Sequence, residues 1–451
     1  MKAKRHALAE RREIVGHSQE TLARALDMEV TTVGRWERGE TSPQPPARPK
    51  LADALEISLE ELDHLLAEGQ PAKAVVTPDT PDKPEHDPVL SAPWSHRGTV
   101  EAAVVLRGGD RPVKRRGFVF LTGMTLTAPA HQWLIHEPGP LLSGLSGRRV
   151  SAALVDRFTA MIPELRAMDD VAGGGTVLSL AEQEFGVIAE LLDQASYDEP
   201  TGRKLHVALA ELGQLAGWAA YDAGKQALAQ RYYVTGLRAA HSADDRHLGA
   251  HILGSMAYQA AREEHPAEAV TLIDTALAGV RGREAASLLT ALYSRQAYAL
   301  ATLRDSSGCA AAISKTRTHV EHVNRDEDPP YLYWVGPAEV TAGAGRCLLQ
   351  LGKAAQAAAM LEEGIALFDE SFVRDRRNYL IRLAEALAHP GPQRDLDAAA
   401  EHGIAALDLS QDLDSIRGVG RLRDLYSQMK PHAKVPAVRD FLDRARGLVL
   451  V

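Results

Sequence analysis

The chain has 451 residues, 45% hydrophobic but only 5% aromatic, with a formal net charge of −9. That length holds roughly three average domains, or one small domain and a long array, and few aromatics with abundant alanine favour close helix-on-helix packing over sheets. Two cysteines, Cys309 and Cys347, exclude a disulfide framework or a cysteine-built zinc site. The predicted location is therefore the cytoplasm, since no signal-peptide core follows Met1 and no run approaches the roughly 18 apolar residues of a membrane span.

Charge is uneven. Residues 1–50 carry ten Lys/Arg against seven Asp/Glu, a balance of +3 that leaves −12 for the rest. A mildly basic head on an acidic body suits a polyanion-binding head whose body stays off nucleic acid.

Residues 18–40, SQETLARALDMEVTTVGRWERGE, predict two short helices around a tight turn. Ser18 is an N-cap, and Leu22, Ala23 and Leu26 form the inward face of the first helix. The second helix is expected from Thr31 to Arg38, with Val33 and Trp36 inward. Val30, Thr31, Thr32 and Arg35 then lie outward near its start. That edge of a helix-turn-helix enters the major groove, where an arginine can bond guanine in bidentate fashion and Val or Thr methyls can touch thymine.

On these residues the first 66 positions resemble the XRE (Cro/cI) family of helix-turn-helix domains. Arg12, Gly16, Ser18, Gln19, Leu22 and Ala23 meet one family pattern; Val33, Trp36, Glu37 and Gly39 meet another. The resemblance implies a five-helix domain that binds operator DNA. It implies that Gln19 bonds a phosphate, that Arg12 and Glu37 pair internally, and that Val30, Thr31, Thr32 and Arg35 face bases. Gly34 departs from the pattern, weakening the reading helix by about 1 kcal/mol relative to alanine, and TSPQPPARP lengthens the loop after it. The competing reading is a five-helix unit used only for protein contact.

Beyond this head, residues 67–95 are rich in proline and charge and predict an extended linker. Residues 96–170 predict a partly helical connection, in which VKRRGFVFLTGMTLTAPA (113–130) mimics an export signal but reads better as a helix docking the linker onto the body. Residues 171–451 show helical periodicity broken every 12–20 residues.

The body repeats. Ala229/Tyr233/Gly236, Ala269/Ile273/Ala276, Cys309/Ile313/Thr316 and Ala357/Leu361/Gly364 share one spacing, and Gly217, Ala257, Ala297 and Gly345 stand twelve residues before each. A looser unit follows around Ala384, Leu387, Ala400 and Ile404. Small residues at these offsets let paired helices cross closely, in the register of a tetratricopeptide (TPR) hairpin, although the intervals of 40, 40 and 48 residues exceed the 34 of that repeat. The fold predicted for the whole chain is all-α: a Cro/cI-type helix-turn-helix domain plus a TPR-like α-solenoid. SYDEPTGRKLHVALAELGQLAGWAAYDAGKQALAQRYYVTGLRAAH, DRHLGAHILGSMAYQAA and PPYLYWVGPAE resemble the TPR region behind XRE domains in a group of actinomycete transcriptional regulators. More distantly, the plan is similar to that of Gram-positive peptide-pheromone regulators, which implies a signal held in the superhelix groove.

That register puts Gln214, Trp218, Tyr221, Asp222, His251, Tyr258, Arg262, Ser294, Tyr298, Glu339 and Arg346 on the inner faces of the first helices of each pair. Alternating aromatic and polar groups on a concave wall suit a peptide or a small molecule; packing on a neighbouring helix or on a second subunit is the other reading. His247 and His251, and His319 and His322, lie close enough in sequence to begin a metal site, but no carboxylate or cysteine set completes one. GGG at 173–175 is a turn without the Lys-Ser/Thr of a phosphate loop, and no catalytic constellation stands out, so neither enzyme, cofactor nor metal is expected. The expected protein is a sequence-specific transcriptional regulator on double-stranded operator DNA. It would act as a homodimer, off the membrane, with a solenoid that senses a peptide or small molecule. The alternative is a DNA-localised scaffold whose solenoid docks a protein.

Overall fold

The computed structural model describes residues 6–26, 28–38, 41, 43, 47–55, 57, 62, 66, 87–108, 118–139 and 147–449, except for the side chains of 6, 7, 10 and 14. The described residues are helical throughout, apart from connections and one isolated bridge between Arg149 and Ser196. Contacts divide the chain into Met1–Thr80 and Pro81–Val451.

The head holds α1 (His6–Ile14), α2 (Gln19–Ala25), α3 (Val30–Glu37) and α4 (Arg48–Ala54). Leu8, Leu22, Ala23, Leu26, Val33, Trp36, Leu51 and Leu55 pack into one core. Leu62 and Leu66 join it from helical backbone; the rest of the expected fifth helix, and the linker up to residue 86, lie outside the described residues. Ser18 caps α2 by accepting from the Thr21 amide at 3.1 Å. The reading helix starts at Val30, one residue earlier than expected, because Glu29 is extended and acts as the N-cap position without a side-chain bond.

The body begins sooner than its composition suggests. Residues 87–95, expected in an extended linker, instead form a capped turn and are packed away. Asp87 caps α5 (Pro88–Ser91) and pairs with buried Arg231 at 2.8 Å. Trp94 lies 4.7 Å from the Arg238 guanidinium, which donates to the Pro93 and Leu90 carbonyls. Proline at the first helical position and a buried charge partner 144 residues away explain why local composition misleads here. Next come α6 (His96–Arg107) and α7 (Gly123–Ile135), sharing one core with the helices that follow. α7 seats fully buried Trp133 over Gly249 and Gly279, where any Cβ would meet the indole at 2.2–2.3 Å.

After α8 (Ala152–Thr159), α9 (Met161–Ala172) and α10 (Gly174–Gln194), the chain runs as antiparallel pairs. These are α11 (Glu199–Asp222) with α12 (Gln226–Ser242), α13 (Arg246–Arg262) with α14 (Pro266–Gly279), α15 (Ala286–Thr302) with α16 (Ser306–Val320), α17 (Pro337–Gln350) with α18 (Ala354–Ala366), and α19 (Val373–Ala388) with α20 (Leu396–Asp408). The first helices of successive pairs contact one another. At Gly217 a Cβ would strike the Tyr233 ring at 2.5 Å, so this crossing requires glycine. Three-residue connections carry a left-handed residue at their centre: Gly224, Asp244, Glu264, Arg304 and Gly352.

Two helices complete the body, α21 (Ile416–Met429) and α22 (Pro436–Val449). The connection ahead of α21 returns to the first helices: Gly175 donates to the Asp414 carbonyl at 2.9 Å, and Asp414 donates to that of Ala172 at 2.8 Å. Gly173 to Gly175 therefore form a packing seam as well as a turn, with Asp414 atoms within 2.2–2.8 Å of where Cβ atoms on Gly173 and Gly175 would stand.

Candidate functional site

The outer edge of α3 is built from within. Glu37, at its last turn, is buried and accepts from Arg12 Nε of α1 at 2.6 Å and from Gln19 Nε2 of α2 at 2.6 Å. Arg12 also donates to the His17 carbonyl at 2.8 Å, fixing the α1–α2 connection. Its hydrogen bond to Glu37, opposed by partial burial, holds the guanidinium above its usual range. One carboxylate thus fastens three helices.

With α3 held there, Val33 and Trp36 face the core, and Val30, Thr31 and Arg35 are exposed beside half-buried Thr32. Gln19 sits differently from its expected role at a phosphate. Its amide is turned inward to Glu37, which leaves one of its two N–H hydrogens for an outside acceptor. Gly34, a weakness on propensity alone, gives the neighbours room: a Cβ there would stand 3.0 Å from Arg38 Nη1 and 3.6 Å from Gln19 Oε1.

The body holds a cavity of about 110 Å³, partly open to solvent. Gln214, Trp218, His251, Tyr258 and Arg346 line it, as do Ser294 and Glu339. Tyr221, Arg262 and Tyr298 instead pack behind the wall: Tyr221 lies 5.7 Å from Trp218 and 6.1 Å from Tyr258, and Arg262 donates to the Tyr298 hydroxyl at 3.1 Å. Asp222 is likewise withdrawn, holding Arg417 at 2.9 Å. Helical register alone could not separate wall from backing, because aromatic stacking decides which ring is in front.

The concave side is not an open trough. The segment ahead of α17 carries Tyr331, Tyr333 and Trp334 inward: Tyr331 stacks on His251 at 5.0 Å, and Trp334 lies 5.2 Å from the Arg295 guanidinium. Tyr333 donates to Asp170 of α9, and Arg374 of α19 pairs with Asp169 and Asp170. Arg417 of α21 spans Trp218 and Tyr221 at 5.1 and 4.9 Å. Of these, Tyr333, Trp334, Arg374 and Arg417 line the cavity and were not among the sequence candidates. The available signal was a set of arginines at core-facing spacing in RDRRNYLIRLAE (374–385) and RGVGRLRD (417–424).

His247 and His251 part company: His247 bonds the Arg283 carbonyl at the surface, and both ring nitrogens of buried His251 lack partners among the described residues. His319 stacks on Tyr293 at 5.5 Å. Among the described residues, no group of three or more His, Cys, Asp or Glu is gathered as a metal site, and no helix is long and apolar enough to cross a membrane.

A buried three-helix clasp thus presents the leading edge of a short helix to solvent. Residues 8–62 match a helix-turn-helix family model, and that match supports a DNA-binding transcriptional regulator with a head of the XRE (Cro/cI) type. No curated protein matches the chain.

Proposed function

We propose that the protein is a sequence-specific transcriptional regulator, cytoplasmic and nucleoid-associated, that reads operator DNA with the exposed edge of α3. Arg35 bonds a guanine edge, Val30, Thr31 and Thr32 contact neighbouring bases, and the free hydrogen of the Gln19 amide meets a phosphate. The observation that carries this is the exposure of Val30, Thr31 and Arg35 on a helix whose opposite face is locked by Glu37. One head makes too few base contacts for high specificity, so two copies act on half-sites about 10 base pairs apart. The TPR-like body supplies the pairing surface.

The body is also the sensory half. Its inner face closes around a compact cavity lined by arginine and aromatic side chains, and this favours a small ligand over the alternative of a scaffold that docks a protein. A ligand there shifts operator affinity by its differential affinity for the two arrangements of the heads. Selection from randomised duplexes with the full-length chain tests the reading. One enriched motif with two-fold symmetry is expected; equal retention of all sequences at moderate salt overturns it.

A further inference from the structure

Seven arginines line the body cavity against three carboxylates, Asp169, Glu339 and Asp375. Three of the seven are paired. Arg374 is held by Asp169 and Asp170, Arg417 by Asp222 at 2.9 Å, and Arg166 by Glu211 at 3.1 Å. Four are not closely compensated. Arg346 reaches a carboxylate only at 4.0 Å, resting instead over the Tyr298 and Tyr258 rings at 4.9 and 5.5 Å, and Arg382 reaches one only at 3.7 Å. Among the described residues Arg295 has no carboxylate partner, donating to the Ser255 hydroxyl at 3.3 Å and lying 5.2 Å from the Trp334 ring. Arg421 makes no hydrogen bond or ion pair among the described residues, and its neighbours include Arg262 and Arg382.

From this surplus we infer that the cavity binds a small organic polyanion, a compact molecule bearing two or more carboxylate or phosphate groups. Buried cations persist in proteins when something pairs them, and a guanidinium fork matches both carboxylate and phosphate oxygens in bidentate geometry. The faces of Trp218 and Trp334 are already covered by Arg374, Arg417 and Arg295, so the wall offers charge before it offers a stacking surface. Fully buried His251 adds two unpartnered nitrogens at the same wall. The volume suits a compact ligand: an enclosed cavity of roughly 150 Å³ admits benzene, and this smaller one is open on one side.

The titrating groups respond to the same field. Burial drives the Tyr258 phenol up, but Arg346, Arg417, Arg262 and Arg421 together overcome it and bring it down to about 7. Burial lifts Glu339 to about 7 against the pull of Arg346, so one of the three carboxylates offers only part of a charge near neutrality. Burial, then Arg262 and Arg382, push Arg421 well below its usual range.

The regulatory meaning of this site rests on the body being the sensory half; the binding itself is measured without DNA, so either reading can fail alone. Thermal melting of the full-length protein is followed in inorganic phosphate, pyrophosphate and citrate, each against sodium chloride at equal ionic strength. Pyrophosphate or citrate is expected to raise the melting temperature saturably by several degrees, and which of them acts distinguishes phosphate from carboxylate recognition. Arg421→Met, which removes a charge without stranding a partner, should melt at or above the wild-type temperature and lose the anion-dependent shift. Arg295→Met is the second variant, read for the same loss. Stabilisation no greater than that of chloride for every anion overturns the proposal. So does a shift that survives in both variants, or an Arg421→Met protein that melts lower than wild type.

Discussion

Gln19 donates its side-chain amide to Glu37 at 2.6 Å, tying the first residue of α2 to the last residue of α3. The same carboxylate accepts from Arg12, so its removal takes the closest partner from a guanidinium left with only exposed Glu13 at 3.2 Å and the His17 carbonyl, and leaves a side-chain amide unmet. Glu37→Ala is expected to destabilise the head by about 2 kcal/mol, less than for a fully uncompensated buried charge because Arg12 keeps Glu13 and the His17 carbonyl. Hydrogen exchange across α1 to α3 measures this, and protection equal to wild type would refute it.

At the reading edge, Arg35→Ala should cost about 1–3 kcal/mol of operator affinity and relax preference at one base pair. Gln19→Ala should weaken all sequences alike, since its target is a phosphate. Titrations on the selected operator and on single-base variants separate the two patterns. An unchanged preference in Arg35→Ala would remove that residue from the groove.

Acid should loosen the body through buried neutral histidines. His96 Nδ1 and His206 Nε2 stand 2.8 Å apart, so one proton is shared across the contact. Burial, then the neighbouring His96, push His206 from 6.5 down to about 3, and burial also lowers His96, His241 and His251. With folded pKa values below the unfolded one, the unfolded chain takes up protons first. The stability from these neutral rings is complete above about pH 6.5 and falls with pH, for His206 until about 3. At about pH 5 that one residue accounts for a loss of about 2 kcal/mol. Urea midpoints between about pH 7.5 and 5 should fall, and fall less in His206→Gln.

The turns between helices give a test of backbone strain. Exposed Glu264 has φ +66 and no side-chain hydrogen bond among the described residues, whereas the equivalent Gly224 has φ +75. Glu264→Gly should be neutral to stabilising by about 0.5–1 kcal/mol, the relief of left-handed backbone exceeding the added chain entropy. Gly224→Ala should cost about 1 kcal/mol, with its new methyl 3.3 Å from Ile416. Opposite shifts in urea midpoint are expected; shifts of the same sign would contradict the strain argument.

The head was legible because its inward residues sit at fixed local spacings: Leu22, Ala23, Leu26, Val33 and Trp36 all lie in the core. The inward turn of the Gln19 amide was not, since it depends on a partner 18 residues away whose side chain could equally have met water. In the body, helical register placed Gln214, Trp218, His251, Tyr258 and Arg346 at the cavity. It missed Arg374 and Arg417, whose carboxylates stand some 200 residues away in sequence and whose charge reads locally as a solvated face. The docking of 87–95 was hidden for a related reason: proline and aspartate signal an open chain until Arg231 appears opposite Asp87.

The seam at Asp414 alters how the body comes apart. In an open stack of repeats each unit leans only on its neighbours, and the last can peel away while the first stays intact. Here Asp414, just ahead of α21, completes hydrogen bonds for backbone laid down about 240 positions earlier, so unravelling that passes Asp414 also exposes the α9–α10 junction. Trimming from the C-terminus before Asp414 should therefore collapse a single sharp melting step into a broad one, rather than remove one increment of stability.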